Sequence, residues 1–253
     1  MIFESYGYLT IASIMFALVL SGSVKGIFGI GFPVVAMATL PLFITPITAI
    51  TVIALPIVVT NIQQLFSEKK WKHIIYKYRY MAVFMMLASF LSSQILTHIS
   101  VDLITAIIGF ALALFAIYSL FNFTLPINTQ PIWQIFAGAS SGLLSGMTGI
   151  QSTAIIYFAS LDIDRDEFVG AVGYIFLVGG LGLSIGLINN NMLNSNSAIL
   201  SIGAILFSVA GFKLGSLLRP YIGSELFKKI LFVMMLLIGI KQIYQFFVKF
   251  LFF

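Results

Sequence analysis

The hydrophobic positions of this chain form long uninterrupted stretches. Six of them have about the 20 residues that a membrane-spanning helix needs. They lie near residues 47–66, 80–98, 102–121, 168–189, 197–218 and 229–251. Shorter apolar stretches form two pairs, 6–24 with 30–44 and 132–145 with 150–161. The pattern predicts an all-α polytopic membrane protein with eight to ten hydrophobic helices.

A glycine motif separates the two members of each short pair. Its positions are Gly22, Gly26, Gly29 and Ile30 in the first pair, and Gly142, Gly146, Gly149 and Ile150 in the second. All four positions match at a constant offset of 120 residues. Glycine-interrupted hydrophobic segments at corresponding places in two halves are typical of transporters, whose binding sites lie at the broken helices.

Each half of the chain has the same order, a broken pair followed by three full spans. We therefore predict repeats at residues 1–122 and 132–253, joined by a polar linker at 123–131. If each pair enters and leaves on one side, the basic loop from Lys69 to Arg79 shares a side with Arg165, Arg219, Lys228 and Lys229. If each pair crosses only once, the basic loops divide between both sides. The positive-inside rule favours the first version, which makes the halves inverted repeats.

Composition narrows the class of protein further. Only 8% of the 253 residues are charged, against about 25% in soluble domains, so no sizeable soluble domain is expected. Without cysteine, disulfides and thiolate metal sites are excluded. The net charge of +5 reflects basic loops and predicts no nucleic-acid partner. We expect the lipid bilayer and a small substrate as partners, with no cofactor or metal, and leave a homo-oligomer open.

The acidic residues are informative because none lies in the middle of an apolar stretch. They are Glu4, Glu68, Asp102, Asp162, Asp164, Asp166, Glu167 and Glu225. Cation transporters and proton pumps usually place an acid near mid-membrane. Their positions here argue against a cation substrate and against proton coupling through a buried carboxylate. Lys25, by contrast, lies inside the first glycine motif and could attract an anion.

The residues after each motif are suited to starting a helix. Pro33 follows Gly31 and lacks a backbone N–H, which fits a first helical turn. The matching positions in the second half are Gln151, Ser152 and Thr153, and Ser and Thr are good N-caps. Two helix N-termini that face one cavity would form an anion site. The alternative is close helix packing through the paired glycines, and both roles can hold together.

These patterns predict a substrate site near the bilayer midplane, between the two broken motifs. Its predicted residues are Lys25, Gly26, Gly29, Gly31, Asn61, Gln64, Gly146, Gly149, Gln151, Ser152 and Thr153. The glycines would allow close backbone approach, and the polar side chains would donate to an anionic oxygen. Asn61 and Gln64 lie so near the end of their stretch that a plain helix-end role is an equal alternative.

The chain resembles the sulfite exporter TauE/SafE family along its whole length. The resemblance rests on GIFGIGFPVVAMATLPLF at residues 26–43 and GLLSGMTGIQSTAIIYFASL at 142–161. It departs from the family's usual glycine-rich run at Phe32 and at residues 151–153, which leaves the particular anion open. The resemblance implies a multi-pass transporter of the cytoplasmic membrane that exports sulfite or organosulfonates.

Three function classes follow from the residues and the resemblance together. We expect a secondary transporter that works by alternating access between its two repeats. An anion channel, or a structural or regulatory subunit, remains the alternative. No nucleophile–base set, phosphate-binding loop or dinucleotide motif occurs, so we do not expect an enzyme or ATP-driven transport.

Overall fold

The computed structural model describes residues 7–121, 125–218, 221 and 224–252. Within these ranges the chain forms eleven α-helices, two short 3-10 turns and no strand, so the all-α prediction is confirmed. The helices are α1 (Tyr8–Phe28), α2 (Phe32–Thr39), α3 (Pro46–Ser67), α4 (Trp71–Lys77), α5 (Arg79–Gln94), α6 (Val101–Phe121), α7 (Pro131–Thr148), α8 (Ser152–Ala159), α9 (Arg165–Asn189), α10 (Ser195–Leu218) and α11 (Ser224–Phe252).

Seven helices in the described part of the chain are long and apolar enough to cross a membrane. They are α1, α3, α5 with the 3-10 turn that follows it, α6, α9, α10 and α11. Six of them confirm the predicted full spans, and the protein is a multi-pass membrane protein. Helix α1 corrects the prediction, because it continues through Gly26 to Phe28 instead of ending near residue 24. Glycine is tolerated there because it lets a neighbouring helix approach closely.

The third glycine of each motif ends a helix. Gly29 has a φ of 80° and Gly149 a φ of 72°, a left-handed conformation that glycine adopts without penalty. Each donates its N–H to the carbonyl of the residue four positions earlier, Lys25 or Ser145, at 2.7 Å. Gly31, with a φ of 102°, then starts α2. The two breaks thus share one backbone geometry at their first residue.

The main helix contacts join one half of the chain to the other. Helix α1 packs on α10, α7 packs on α5, α3 on α9, and α6 on α11. At the 120-residue offset, α7 corresponds to α1 and α10 corresponds to α5. The pairing therefore looks the same when the two halves are exchanged. Residues 122–124, at the predicted boundary between the repeats, lie outside the described residues, and that division stays a prediction.

The order of contacts along two of these pairs shows parallel helices. Gly138 of α7 lies against Met81 of α5, and Gly142 lies against Met85. Residue numbers rise together, so the two helices run in the same direction. Helices α1 and α10 are parallel by the same criterion.

The other two pairs run in opposite directions. Gly173 of α9 lies against Gln64 of α3, whereas Gly180 lies against Ile57. Helices α6 and α11 are antiparallel by the same criterion. Corresponding helices α3 and α9, and α6 and α11, therefore point in opposite directions. Inverted repeats stay a prediction, and these contact orders favour it.

Helix α3 contains an internal proline whose missing bond is replaced by the other half of the chain. Pro56 has no N–H to donate to the carbonyl of Val52, four residues earlier. Ser201 of α10 donates its hydroxyl to that carbonyl at 3.0 Å and also accepts the N–H of Leu55 at 3.3 Å. Irregular backbone at membrane depth requires such partners. The proline lies one helical turn before the polar residues of the candidate site.

Candidate functional site

The first break places a lysine in the protein interior. Lys25, on the last turn of α1, is only 2% exposed. Its Nζ donates to Asn61 Oδ1 at 2.6 Å and to Thr60 Oγ1 at 3.1 Å, both on α3. Neither acceptor is charged, and no ion pair within the described residues includes Lys25. Because buried charges in proteins are normally paired, this arrangement leaves Lys25 suited to bind an anion.

The backbone of α3 fixes the two acceptors. Asn61 donates its Nδ2 to the carbonyl of Ile57 at 2.7 Å, so its Oδ1 must turn towards Lys25. The hydroxyl of Thr60 donates to the carbonyl of Pro56 at 2.8 Å. That bond uses its only hydrogen, which leaves a lone pair for the lysine. The position of Nζ is therefore set by α3 and does not depend on a ligand.

A cavity of about 350 Å³ reaches Lys25 from one side of the protein. Its lining residues are Lys25, Gly26, Gly29, Gln63, Gln64, Ser67, Glu68, Arg165, Asp166, Val169, Phe212 and Ser216. Ser67 ends α3 and Arg165 begins α9, so the mouth lies on the side of the basic loop. Glu68, Arg165 and Asp166 bring charges of both signs to this mouth. Farther in, Lys25 is the charged residue of the lining.

Gln64, which lines this cavity, has a buried amide oxygen without a hydrogen-bond partner in the described part of the chain. It is 6% exposed, and its Nε2 donates to the carbonyl of Val169 at 2.8 Å. Its Oε1 is buried and has no partner among the described residues. A buried polar atom without a partner normally costs free energy. Gln64 is thus held by one end of its amide and leaves an acceptor unused.

The second break contains polar groups but no charge that corresponds to Lys25. Gln151 is fully buried, and its Nε2 donates to Ser145 Oγ at 3.1 Å and to the carbonyl of Phe176 at 3.5 Å. Three buried oxygens have no partner in the described ranges, Gln151 Oε1, Ser152 Oγ and Thr153 Oγ1. The expected Ser or Thr cap of α8 is wrong, since Gln151 is the N-cap residue and makes no side-chain cap bond.

The structure brings together some predicted site residues and separates others. Lys25, Gly26, Gly29 and Gln64 line one cavity, and Asn61 bonds Lys25 directly. The remaining predicted residues, Gly31, Gly146, Gly149, Gln151, Ser152 and Thr153, do not line that cavity. Their part in substrate binding stays a prediction.

Helix packing accounts for the second motif glycine in each half. A side chain at Gly146 would collide with the hydroxyl of Ser92 and the carbonyl of Ser89. One at Gly26 would collide with the backbone at Phe212 and Ser216. The packing alternative therefore applies to both positions. Gly26 additionally borders the cavity, and its part in substrate binding stays a prediction.

The model of one protein family matches most of this sequence. The sulfite exporter TauE/SafE family matches residues 14–242, a range that includes both helix breaks. The chain belongs to this family. No curated protein and no solved structure matches it. Members of the TauE/SafE family are membrane transporters for sulfite and related anions, so family membership and the buried lysine point to the same class of substrate.

One residue of this TauE/SafE site was missed by sequence reasoning. Thr60 provides the second acceptor for Lys25, yet a single threonine in an apolar helix carries no signal of its own. A usable signal was present in its neighbours, because Thr60 and Gln64 are four residues apart and Asn61 lies between them. Residues at this spacing share a helix face.

The basic loop from Lys69 to Arg79 is tied to the second half of the chain by a buried tyrosine. Tyr78 is fully buried, and its hydroxyl donates to Glu167 Oε1 at 2.7 Å. Lys77 pairs with the same carboxylate at 2.5 Å. Burial, together with the bond to this carboxylate, raises the pKa of Tyr78, so it stays a donor. This contact holds the start of α9 against the loop that follows α3, beside the cavity mouth.

Proposed function

We propose that the protein is a secondary transporter that exports a small anion, sulfite or an organosulfonate, across the cytoplasmic membrane. The observation that carries the proposal is Lys25, a buried lysine whose hydrogen-bond partners are neutral. A lysine buried in a membrane protein without a counter-charge is costly and often marks function. An anionic substrate would supply the missing counter-charge when it occupies the cavity.

The surroundings of Lys25 support a site for a small ligand. Its ammonium has three N–H donors, and Thr60 and Asn61 use two of them, which leaves one for a substrate. The cavity volume of about 350 Å³ is at the small end of the range of ligand sites. Arg165 at the mouth is accompanied by two carboxylates, so the attraction for an anion comes from Lys25 farther in.

Alternating access would follow from the relation between the two halves. We infer inverted repeats, because corresponding helices run in opposite directions and the basic loops then lie on one side. The cavity at the first break faces that basic side, which corresponds to an inward-open form. Movement of one repeat against the other would expose the site, with Ser152 and Thr153 of the second break offering hydroxyl donors, to the opposite side.

The proposal is tested by removing the charge of Lys25. We expect sulfite or an organosulfonate at 100 times its Kd to stabilise the detergent-purified protein by about 2.7 kcal/mol. Lys25→Met should lose this stabilisation and lose flux in proteoliposomes. Lys213→Met is the matched control, because Lys213 is exposed on α10, and it should keep both.

The test has clear contrary outcomes. Binding and flux that survive in Lys25→Met would refute the assignment of the site. Flux that never saturates and shows no exchange between internal and external anion would identify a channel. No response to sulfite, sulfoacetate, thiosulfate or sulfate, with a neutral osmolyte as control, would leave a weakly binding channel or a partner-dependent subunit.

A further inference from the structure

Gln64 lines the cavity, and only one of the two polar atoms of its amide has a hydrogen-bond partner within the described ranges. Its Nε2 donates to the carbonyl of Val169, at 2.8 Å. A carbonyl cannot accept a bond from an amide oxygen, so the orientation of the amide is fixed by its partner. The group left over is Oε1, which is buried and without a partner in the described residues. An anionic oxygen would be repelled by it, whereas an O–H or N–H group would satisfy it.

Gln64 shares a helix face with the two residues that bond Lys25. Gln64 follows Thr60 by four residues and Asn61 by three, so all three share one face of α3. One helical turn is about 5.4 Å along the axis. Lys25, held by Thr60 and Asn61, and Gln64 line the same cavity. A molecule bound to Lys25 in this cavity would therefore also lie against the side chain of Gln64.

We propose that the substrate is a small anion that also carries an O–H or N–H donor, with the anionic group on Lys25 and the donor on Gln64 Oε1. This inference rests on the proposed function, since it concerns the same site. Sulfate, which is fully deprotonated, would engage Lys25 and leave the amide oxygen unsatisfied. A hydroxyalkyl or aminoalkyl sulfonate would satisfy both groups.

The second break supports this preference with a similar arrangement. Gln151 also uses its Nε2 on acceptors, Ser145 Oγ and the carbonyl of Phe176, and leaves Oε1 unpartnered among the described residues. Both buried glutamines at the breaks therefore present an acceptor.

Two sulfonates that differ by one hydroxyl test the inference. They are ethanesulfonate and 2-hydroxyethanesulfonate, whose affinities would be measured by ligand-dependent thermal stability. A site built to bond a hydroxyl discriminates against the analogue that lacks it, because a buried partner is left unsatisfied. We expect the hydroxyl form to bind roughly ten-fold or more tightly in the unaltered protein.

Variants at two neighbouring glutamines show whether Gln64 is responsible. Gln64→Met should bring the two affinities close together, mainly by weakening the hydroxyl form. Gln63→Met is the matched control, because Gln63 borders the same cavity but is exposed, and it should keep the preference. Lys25→Met should bind neither sulfonate.

The outcomes separate this inference from the function on which it rests. Equal affinity for the two sulfonates in the unaltered protein, with both still dependent on Lys25, would overturn the inference and leave anion transport standing. A water bound to Gln64 Oε1 would produce that result. Failure to bind sulfite and both sulfonates would instead refute the proposed function. If Gln64→Met does not fold, the ratio of the two sulfonate affinities in the unaltered protein still tests the inference.

Discussion

The two helix breaks have the same first turn of backbone but different side-chain chemistry. Gly29 and Gly149 both have a positive φ and bond the carbonyl four residues earlier at 2.7 Å. That earlier residue is Lys25 in the first break and Ser145 in the second. The two halves therefore share the backbone conformation of the break, whereas the lysine occurs in the first half only. An anion site built on it would be asymmetric.

The two breaks also differ in how tightly they are packed. The first borders a cavity, and a side chain at Gly29 would meet only Val169, at ordinary distances of 3.5 Å and 3.9 Å. At Gly149 an added Cβ would lie 2.8 Å from Ile53 Cδ1. Ile53 and Asn61 are eight residues apart on α3, about 12 Å along the helix. Helix α3 therefore contacts both breaks, one open to a cavity and the other closely packed.

The largest expected effect comes from cancelling the charge at the first break. Asn61→Asp would put a carboxylate beside Lys25, at the position where Asn61 Oδ1 now lies 2.6 Å from Nζ. This fixed counter-charge would compete with the substrate. We expect anion affinity to fall about 100-fold or more, since charge-assisted pairs are the strong ones. Ligand titrations followed by thermal unfolding would measure it.

A variant at the second break sharpens the same comparison. Gln151→Met removes a polar group that carries no charge, so we expect the loss of anion affinity to be about ten-fold at most. If Asn61→Asp bound anions as well as the unaltered protein, the asymmetry between the breaks would have no bearing on substrate binding.

Substitutions of the break glycines should have an intermediate effect, on stability. Gly29→Ala and Gly149→Ala both force a side chain into a left-handed conformation, at about 1–2 kcal/mol. Gly149→Ala should cost more, because its Cβ also meets Ile53. The variant Gly149→Ala with Ile53→Val, which lacks Cδ1, should remove that extra cost relative to Ile53→Val alone. Thermal unfolding of all four variants measures the differences.

Transport activity gives a second test of the role of Gly149. Gly149→Leu should abolish transport while the folded protein still reaches the membrane, because a larger side chain blocks the second break. Full activity in this variant would remove Gly149 from the site. Equal losses of stability in Gly29→Ala and Gly149→Ala would show that the packing difference between the breaks has no energetic consequence.

The smallest expected effect lies at the mouth of the first cavity. Burial, with Asp166 and Asp164 nearby, raises the pKa of Glu68. A carboxyl whose pKa is raised on folding destabilises the protein when ionised, and this penalty disappears as falling pH protonates it. Glu68→Gln should therefore raise the melting temperature slightly at pH 8, with a smaller gain at pH 4. A gain that grew towards low pH would contradict this assignment.

Several features of the fold and site were predictable from local sequence. Long apolar stretches predicted the spans, and the glycine motif located both breaks. Lys25 stood out because it is a cation inside an otherwise apolar motif. The sequence pattern predicts too early an end for α1, because Gly22 and Gly26 resemble a helix break. They are helical because α10 packs against them.

The sequence by itself determined the membrane class, the duplicated breaks and the position of the unusual lysine. These depend on local properties, namely the length of apolar runs and the freedom of glycine to adopt a positive φ. Only the tertiary structure decided that Lys25 bonds Thr60 and Asn61, which are 35 and 36 residues away, and that Gln64 of the same cavity keeps an acceptor unpartnered among the described residues. Such contacts depend on which helix faces pack together, and that is set by the fold as a whole.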